Sequence, residues 1–172
     1  NWNVEQVSRH FAFKPVVLIE WARRRRGLIL PAGNPLKIRS LGDMAGRRMV
    51  RRQSAAGSHV LLQRKMKEVG LDSASVVQDG ALVRDEREAA HAVFTGEADA
   101  AFGLETAARH SRLEFLPVCE ERFDILVGRR DYFEDPFQKL LTFAKSPDFI
   151  AKAGQFGGYD VSGLGTVQFN GY

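Results

Sequence analysis

Segments typical of buried strands alternate with segments typical of amphipathic helices along most of the chain, and this alternation most constrains its fold. The run 15–22 is almost continuously apolar, as in strands that are buried on both faces. Residues 54–69 and 85–94 instead carry apolar side chains at helical spacing. We therefore expect the α/β class with mostly parallel sheets.

The remaining segments follow the same alternation. The pattern predicts further strands at 28–30, 47–51, 76–77, 98–103, 113–118 and 122–128. It predicts a short helix or a turn at 4–11 and further helices, some of them short, at 40–44, 105–110, 135–144 and 146–153. In the helix 135–144 the side chains expected to be buried are Phe137, Leu140, Leu141 and Phe143. The glycine-rich remainder is expected to be a tail or a loop.

Four consecutive arginines at 23–26 and then Gly27 interrupt the first apolar run. Two strands around a basic turn, or one long bent strand, both fit this pattern. Arginine clusters also bind nucleic-acid phosphates. Because neither a stacking pattern of aromatic residues nor a basic helix accompanies the run, we favour a solvated turn.

The segment 51–58 has the composition of an anion-binding turn. It is rich in small residues and lies between a predicted strand and a predicted helix. The first N–H groups of a helix have no partner within the helix, and the helix dipole favours negative charge there. Arg51 and Arg52 precede the turn and can add charge-assisted hydrogen bonds.

Bulk composition sets broad limits. The chain has 172 residues, a net charge of +4 and one cysteine, Cys119, so an internal disulfide is excluded. Its histidines and cysteine lack zinc-site spacing, and it has no apolar run of membrane-helix length. Because the start lacks a methionine and the features of a signal peptide, we expect a processed product or a fragment.

Catalytic motifs are absent from the sequence. G-x-S-x-G is not present, and Ser58 and His59 are adjacent, so their side chains would not face each other on a helix. The acidic residues have neither metal-binding nor paired-acid spacing. We therefore expect a binding protein and not an enzyme, without a metal or cofactor.

Several segments match a known family in their order and spacing. They are 27–35, 38–44, 51–53, 95–109, 120–124 and 158–162. In these segments the chain resembles a periplasmic-binding-protein-like domain. More narrowly, it resembles the molybdate-binding family found fused to helix-turn-helix regulators and to molybdopterin-biosynthesis proteins.

The resemblance implies a type II periplasmic-binding-protein-like fold of two α/β lobes joined by two crossing strands. Residues 36–115 would form the second lobe. Residues 1–35 and 116–172 would form the hinge and a first lobe that is incomplete at its N-terminus. The implied ligand-binding residues are Arg52, Gln53, Ser54, Ala56, Gly57, Ser58, Glu105 and Arg122.

The implied function is binding or sensing of a small, molybdate-like oxyanion by a domain of a larger protein. The alternatives are the effector domain of a transcription regulator with a small organic ligand, or a molybdopterin-biosynthesis-associated domain. The expected partners are the ligand, a DNA-binding or biosynthetic module in the parent chain, and a second copy in a homodimer. The expected localisation is cytoplasmic, with the periplasm as the alternative.

Overall fold

The computed structural model describes residues 2–78, 80 and 82–171. The chain divides into two compact units. The central unit is Arg25–Cys119, and the flanking unit combines the residues up to Arg24 with those from Glu120 onward. Two 15-residue strands, β1 (Val16–Leu30) and β5 (Glu114–Gly128), each contribute residues to both units.

The central unit holds the inner elements of the chain. After β1 come a 3-10 turn (Leu41–Met44), β2 (Arg51–Arg52), α2 (Gly57–Glu68), a second 3-10 turn (Ser73–Ser75), β3 (Leu82–Val83), α3 (Glu86–Phe94), β4 (Ala101–Leu104) and α4 (Glu105–His110). The flanking unit holds α1 (Trp2–Phe11), α5 (Arg129–Phe133), α6 (Asp135–Ala144), α7 (Pro147–Phe156), β6 (Tyr159–Asp160) and β7 (Val167–Asn170).

Strand pairing is mixed in direction. In the central unit β1 pairs with β4 in antiparallel register, with Gly27 opposite Gly103. The pairs of β1 with β6 and with β7 in the flanking unit are also antiparallel. Parallel pairing occurs between β2 and β3 and at two isolated bridges. The α/β class is confirmed, whereas the expectation of mostly parallel sheets fails for the pairs that β1 makes with these three strands.

The long strands correct the sequence-based picture. The arginine run lies inside β1 and not in a turn, so one continuous strand is the correct alternative. The two strands predicted over 113–128 are likewise one strand, β5. Pro117 does not end β5, because proline is tolerated in a strand at the edge of a sheet. β6 and β7 occupy the segment expected to be a tail or loop.

The sequence predicted the bounds of the helices better than it predicted which of their side chains are buried. α4 and α6 have the predicted bounds, whereas α2 starts three residues later than predicted, at Gly57. In α6 the buried residues are Leu141 and Ala144, whereas Leu140 and Phe143 are exposed. Helical spacing puts Leu141 and Ala144 on one face and Leu140 and Phe143 beside it, so the predicted burial of those two is wrong.

The central unit has the larger core. One cluster surrounds Leu28, Met44, Met49 and Met66, and the other surrounds Ile29 and the small residues of α3, β4 and α4. In the flanking unit the buried cluster is Val17, Ile19 and Leu141, with partly buried aromatic and aliphatic residues against it. Residues 51–58 therefore lie in the unit with the larger core.

Gly27 of β1 lies directly against the backbone of β5. A Cβ atom at this position would be 2.1 Å from the carbonyl oxygen of Leu116. We expect Gly27→Ala to lower the free energy of unfolding by roughly 1–3 kcal/mol, because backbone must move to relieve the overlap. Urea denaturation followed by circular dichroism measures the change.

Gly154 in α7 provides the matched control, since a Cβ atom there meets nothing within 4 Å. We expect Gly154→Ala to be neutral or to stabilise by up to about 1 kcal/mol, as alanine favours a helix. Equal unfolding free energies for the two variants would contradict the close approach at Gly27.

Candidate functional site

The site is built at the end of β2 and the start of α2. Residues 53–56 form a turn in which the Ala56 N–H donates to the carbonyl of Gln53 at 2.9 Å. α2 then begins at Gly57, and no side chain caps it. This is the strand–turn–helix arrangement expected from the sequence, with the helix start moved by three residues. The first N–H groups of a helix have no carbonyl acceptor one turn earlier, and in α2 the N–H of His59 donates to the carbonyl of Ala56 at 2.9 Å.

A small pocket of about 10 Å³ lies beside this helix start. Ser58 lines it from α2 and is buried, with 8% of its surface exposed. The Arg52 side chain lines it from β2 and is 15% exposed. The other lining residues are Val50, His59, Leu62, Gln78, Ala89, Ala101 and Phe102. The pocket therefore has mostly apolar walls and a few polar groups.

Two of these polar side chains lack the hydrogen bonds that burial normally requires. Within the described residues, the Oγ of Ser58 and both the Nε and Nη1 of Arg52 are buried without a hydrogen-bond partner. Leaving a buried polar group unsatisfied costs about 1–3 kcal/mol, and more if it is charged. One pocket is thus lined by hydrogen-bond donors from β2 and from α2, and these donors have no acceptor.

Glu86 supplies the negative charge nearest to Arg52. Its Oε1 is 4.0 Å from the Nη1 of Arg52, which is an ion-pair distance but too long for a hydrogen bond. The same oxygen accepts from the Nη1 of Arg26 at 3.0 Å. Its Oε2 accepts from the N–H of Leu104 at 3.2 Å. Glu86 is thus bound chiefly to Arg26 and β4, which leaves donors of Arg52 available.

The cap of α3 fixes the position of Glu86. The Asp85 carboxylate accepts from the N–H groups of Arg87 and Glu88 at 2.8 and 2.9 Å. The hydrogen bond from Glu88 contributes most to holding the pKa of Asp85 below its usual value, and the charge of Arg52 adds a smaller effect. Glu86 is the first residue of α3 and is therefore held at a defined point beside β4.

Two residues implied by the family resemblance have other partners. Glu105 is buried, and its Oε1 accepts from the Nε of Arg109 at 2.8 Å and from Arg25 at 3.2 Å. Arg122 lies in the flanking unit, where it donates to Asp124 and to Gln168. Neither side chain lines the pocket of Arg52 and Ser58.

The other expected ligand-binding residues lie in the turn and at the first position of α2. Gln53, Ser54 and Gly57 are exposed, and Ala56 is partly exposed. Their role in binding stays a prediction. Sequence reasoning missed Arg26 and Glu86, whose signal was only a basic residue in an arginine run and an acidic residue at a helix start.

The described residues show neither a metal-site cluster nor a membrane-spanning helix. Over 2–78, 80 and 82–171, histidine, cysteine and carboxylate side chains form no cluster of three or more suited to a metal ion. The helices of the described chain are too short or too polar to cross a bilayer.

The charge of Glu86 can be tested separately from ligand binding. Arg26 has a 4% exposed side chain, so Glu86→Gln removes the negative charge beside a buried cation. We expect the free energy of unfolding to fall by roughly 1–3 kcal/mol in chemical denaturation. Glu88→Gln is the control on the same helix turn, where the carboxylate is exposed. Equal losses in both variants would contradict the role given to Glu86.

Comparisons with known proteins agree with the fold. The PBP superfamily domain matches residues 1–145. The uncharacterized protein YvgK of Bacillus subtilis (strain 168) is 31% identical over 168 residues, covering 96% of this chain and 54% of YvgK. The chain therefore spans about half the length of this relative.

Two solved structures share the fold at low sequence identity. L-phospholactate-bound PEB3, a protein also solved as Peb3 from Campylobacter jejuni, has a TM-score of 0.60 at 15% identity, covering 83% of this chain and 67% of that chain. The periplasmic aliphatic sulphonate binding protein SsuA from Escherichia coli has a TM-score of 0.56 at 16% identity, covering 89% and 55%. Together with the match over residues 1–145, the α/β architecture identifies the chain as a member of the PBP superfamily.

Proposed function

We propose that this chain is a ligand-binding domain for a small tetrahedral oxyanion and that Arg52 and Ser58 hold one oxygen of the ligand. The observation that carries the proposal is the pair of buried, unsatisfied side chains that line one pocket. An anionic oxygen would accept hydrogen bonds from both and remove the cost of burying them. The uncapped start of α2 adds a favourable dipole.

Pocket size determines how much of the ligand is enclosed. A volume of about 10 Å³ admits roughly one water-sized group. One oxygen of a tetrahedral anion meets this limit, whereas the remainder of the anion must lie outside, toward the exposed turn of Gln53 and Ser54. Inorganic oxyanions and organic phosphates or sulphonates all offer such an oxygen.

The local charge favours an anion over a neutral ligand. The positively charged Arg52 keeps buried donors without hydrogen bonds in this pocket. The start of α2 beside it adds a helix dipole that also favours an anion. Binding, and not catalysis, is the role that this arrangement supports.

The proposal extends to the chemical identity of the oxyanion and to the compartment in which the protein lies. The sequence resemblance suggests molybdate or tungstate as the ligand. The similarity to L-phospholactate-bound PEB3 and to the aliphatic sulphonate binding protein SsuA suggests organic oxyanions instead. The similarity to the periplasmic SsuA favours the periplasm over the predicted cytoplasmic location. An effector domain of a regulator or a molybdopterin-associated domain would use the same pocket, with a different module attached.

Thermal unfolding with molybdate, tungstate, sulfate and phenylphosphonate tests the proposal. A ligand at a hundredfold its dissociation constant stabilises the folded state by about 2.7 kcal/mol, which raises the unfolding midpoint by roughly 5–10 °C in a chain of this size. We expect such a rise with at least one anion. Arg52→Ala should abolish it, and Ser58→Ala should weaken binding roughly tenfold.

Arg51→Ala is the matched control, because Arg51 precedes Arg52 in β2 but is exposed. It removes the same charge from the chain and should leave most of the rise in place. No rise with any of the four anions, or equal losses in the Arg51 and Arg52 variants, would refute the proposed site.

A further inference from the structure

A second cavity, of about 240 Å³, lies in the flanking unit. Four aromatic rings line it: Trp21 from β1, Phe149 and Phe156 from α7, and Tyr159 from β6. Ala22, Ala153 and Val161 complete its apolar wall. The single charged residue among its lining residues is Lys152 of α7. The walls of the cavity are thus mainly aromatic side chains, with one positively charged side chain among the described lining residues.

Contacts between aromatic rings hold the walls of this cavity in place. Trp21 and Phe149 meet edge to face, with ring centroids 5.9 Å apart and planes at 76°. Phe149 makes a second such contact with Phe143, at 5.7 Å. The position of Phe149 is therefore defined on two sides, and an aromatic ligand would meet an already ordered surface.

The apolar side chains of α7 are not buried in the core. None of its residues is buried, and Phe156 is 52% exposed. Lys152 lies over the Phe156 ring, with its Nζ 5.5 Å from the ring centroid. Within the described residues Lys152 has no ion-pair partner, so its charge is available to a ligand.

We propose that this cavity binds a small aromatic carboxylate of one ring, with the ring between the aromatic side chains and the carboxylate on Lys152. An apolar cavity of about 150 Å³ is sufficient for benzene, so 240 Å³ accommodates one ring with a carboxylate. The four rings supply stacking and edge contacts, and the lone cation complements one negative charge. The site is independent of the Arg52 and Ser58 pocket.

Fluorescence of Trp21 measures binding directly. The chain has two tryptophans, and Trp2→Phe leaves Trp21 as the single reporter. In this background, titration with sodium benzoate should give a saturable change in emission. Benzyl alcohol, a neutral analogue, should bind roughly tenfold more weakly, because a hydrogen bond to a charged group is lost.

Lys152→Met removes the charge and keeps much of the apolar stem. It should weaken benzoate binding roughly tenfold and leave benzyl alcohol unchanged. Lys139→Met is the control, since Lys139 is an exposed lysine of α6 whose side chain is 80% exposed. It should alter neither ligand. Ala153→Leu should fill the cavity and weaken both ligands.

Three results would overturn the proposal. The first is a Trp21 signal that does not saturate with benzoate. The second is an equal loss of benzoate binding in the Lys139 and Lys152 variants. The third is an emission change that follows protein concentration and not benzoate, which would mean that a second copy of the chain covers the cavity. If Ala153→Leu fails to fold, the comparison of the two lysine variants still decides.

Discussion

The arrangement of the central unit depends on the hydrogen bonds that the Glu86 carboxylate accepts. One of its oxygens binds Arg26 of β1 and the other binds the Leu104 N–H of β4, so a helix start is tied to two strands. Gly103 makes this approach feasible, because a Cβ atom there would be 2.8 Å from the carboxylate. Arg52 lies 4.0 Å from the same group and retains buried donors without hydrogen bonds. The proposed binding pocket thus depends on how the strands are held together.

The arginine run shows how the same charges build the strand. Its side chains alternate in exposure along β1, with Arg24 and Arg26 mostly buried and Arg23 and Arg25 about half exposed. Each meets an acidic residue: Arg23 meets Glu20, Arg24 meets Glu121, Arg25 meets Glu105 and Arg26 meets Glu86. A basic run in sequence is therefore a set of ion pairs in the fold, and it gives no support for nucleic-acid binding.

Local sequence signals predicted what depends on neighbours in the chain. α4 and α6 begin and end where predicted. Arg52 and Ser58, named from the turn before α2, line one pocket, and their role in binding stays a prediction. The sequence did not predict which strands pair when they lie far apart along the chain. β6 and β7 look like a glycine-rich tail until β1 supplies their partner. Likewise, Arg26 and Glu86 are 60 residues apart, so neither indicates a site until the fold brings them together.

The central claim is that Arg52 and Ser58 bind an oxyanion oxygen in the small pocket beside α2. A crystal structure of the full chain with tungstate, using anomalous scattering from tungsten, tests it most directly. The expected result is a tungsten peak at the start of α2, with a ligand oxygen within about 3 Å of Ser58 Oγ and an Arg52 nitrogen. A tungsten peak elsewhere, with both side chains bonded only to water, would contradict the claim.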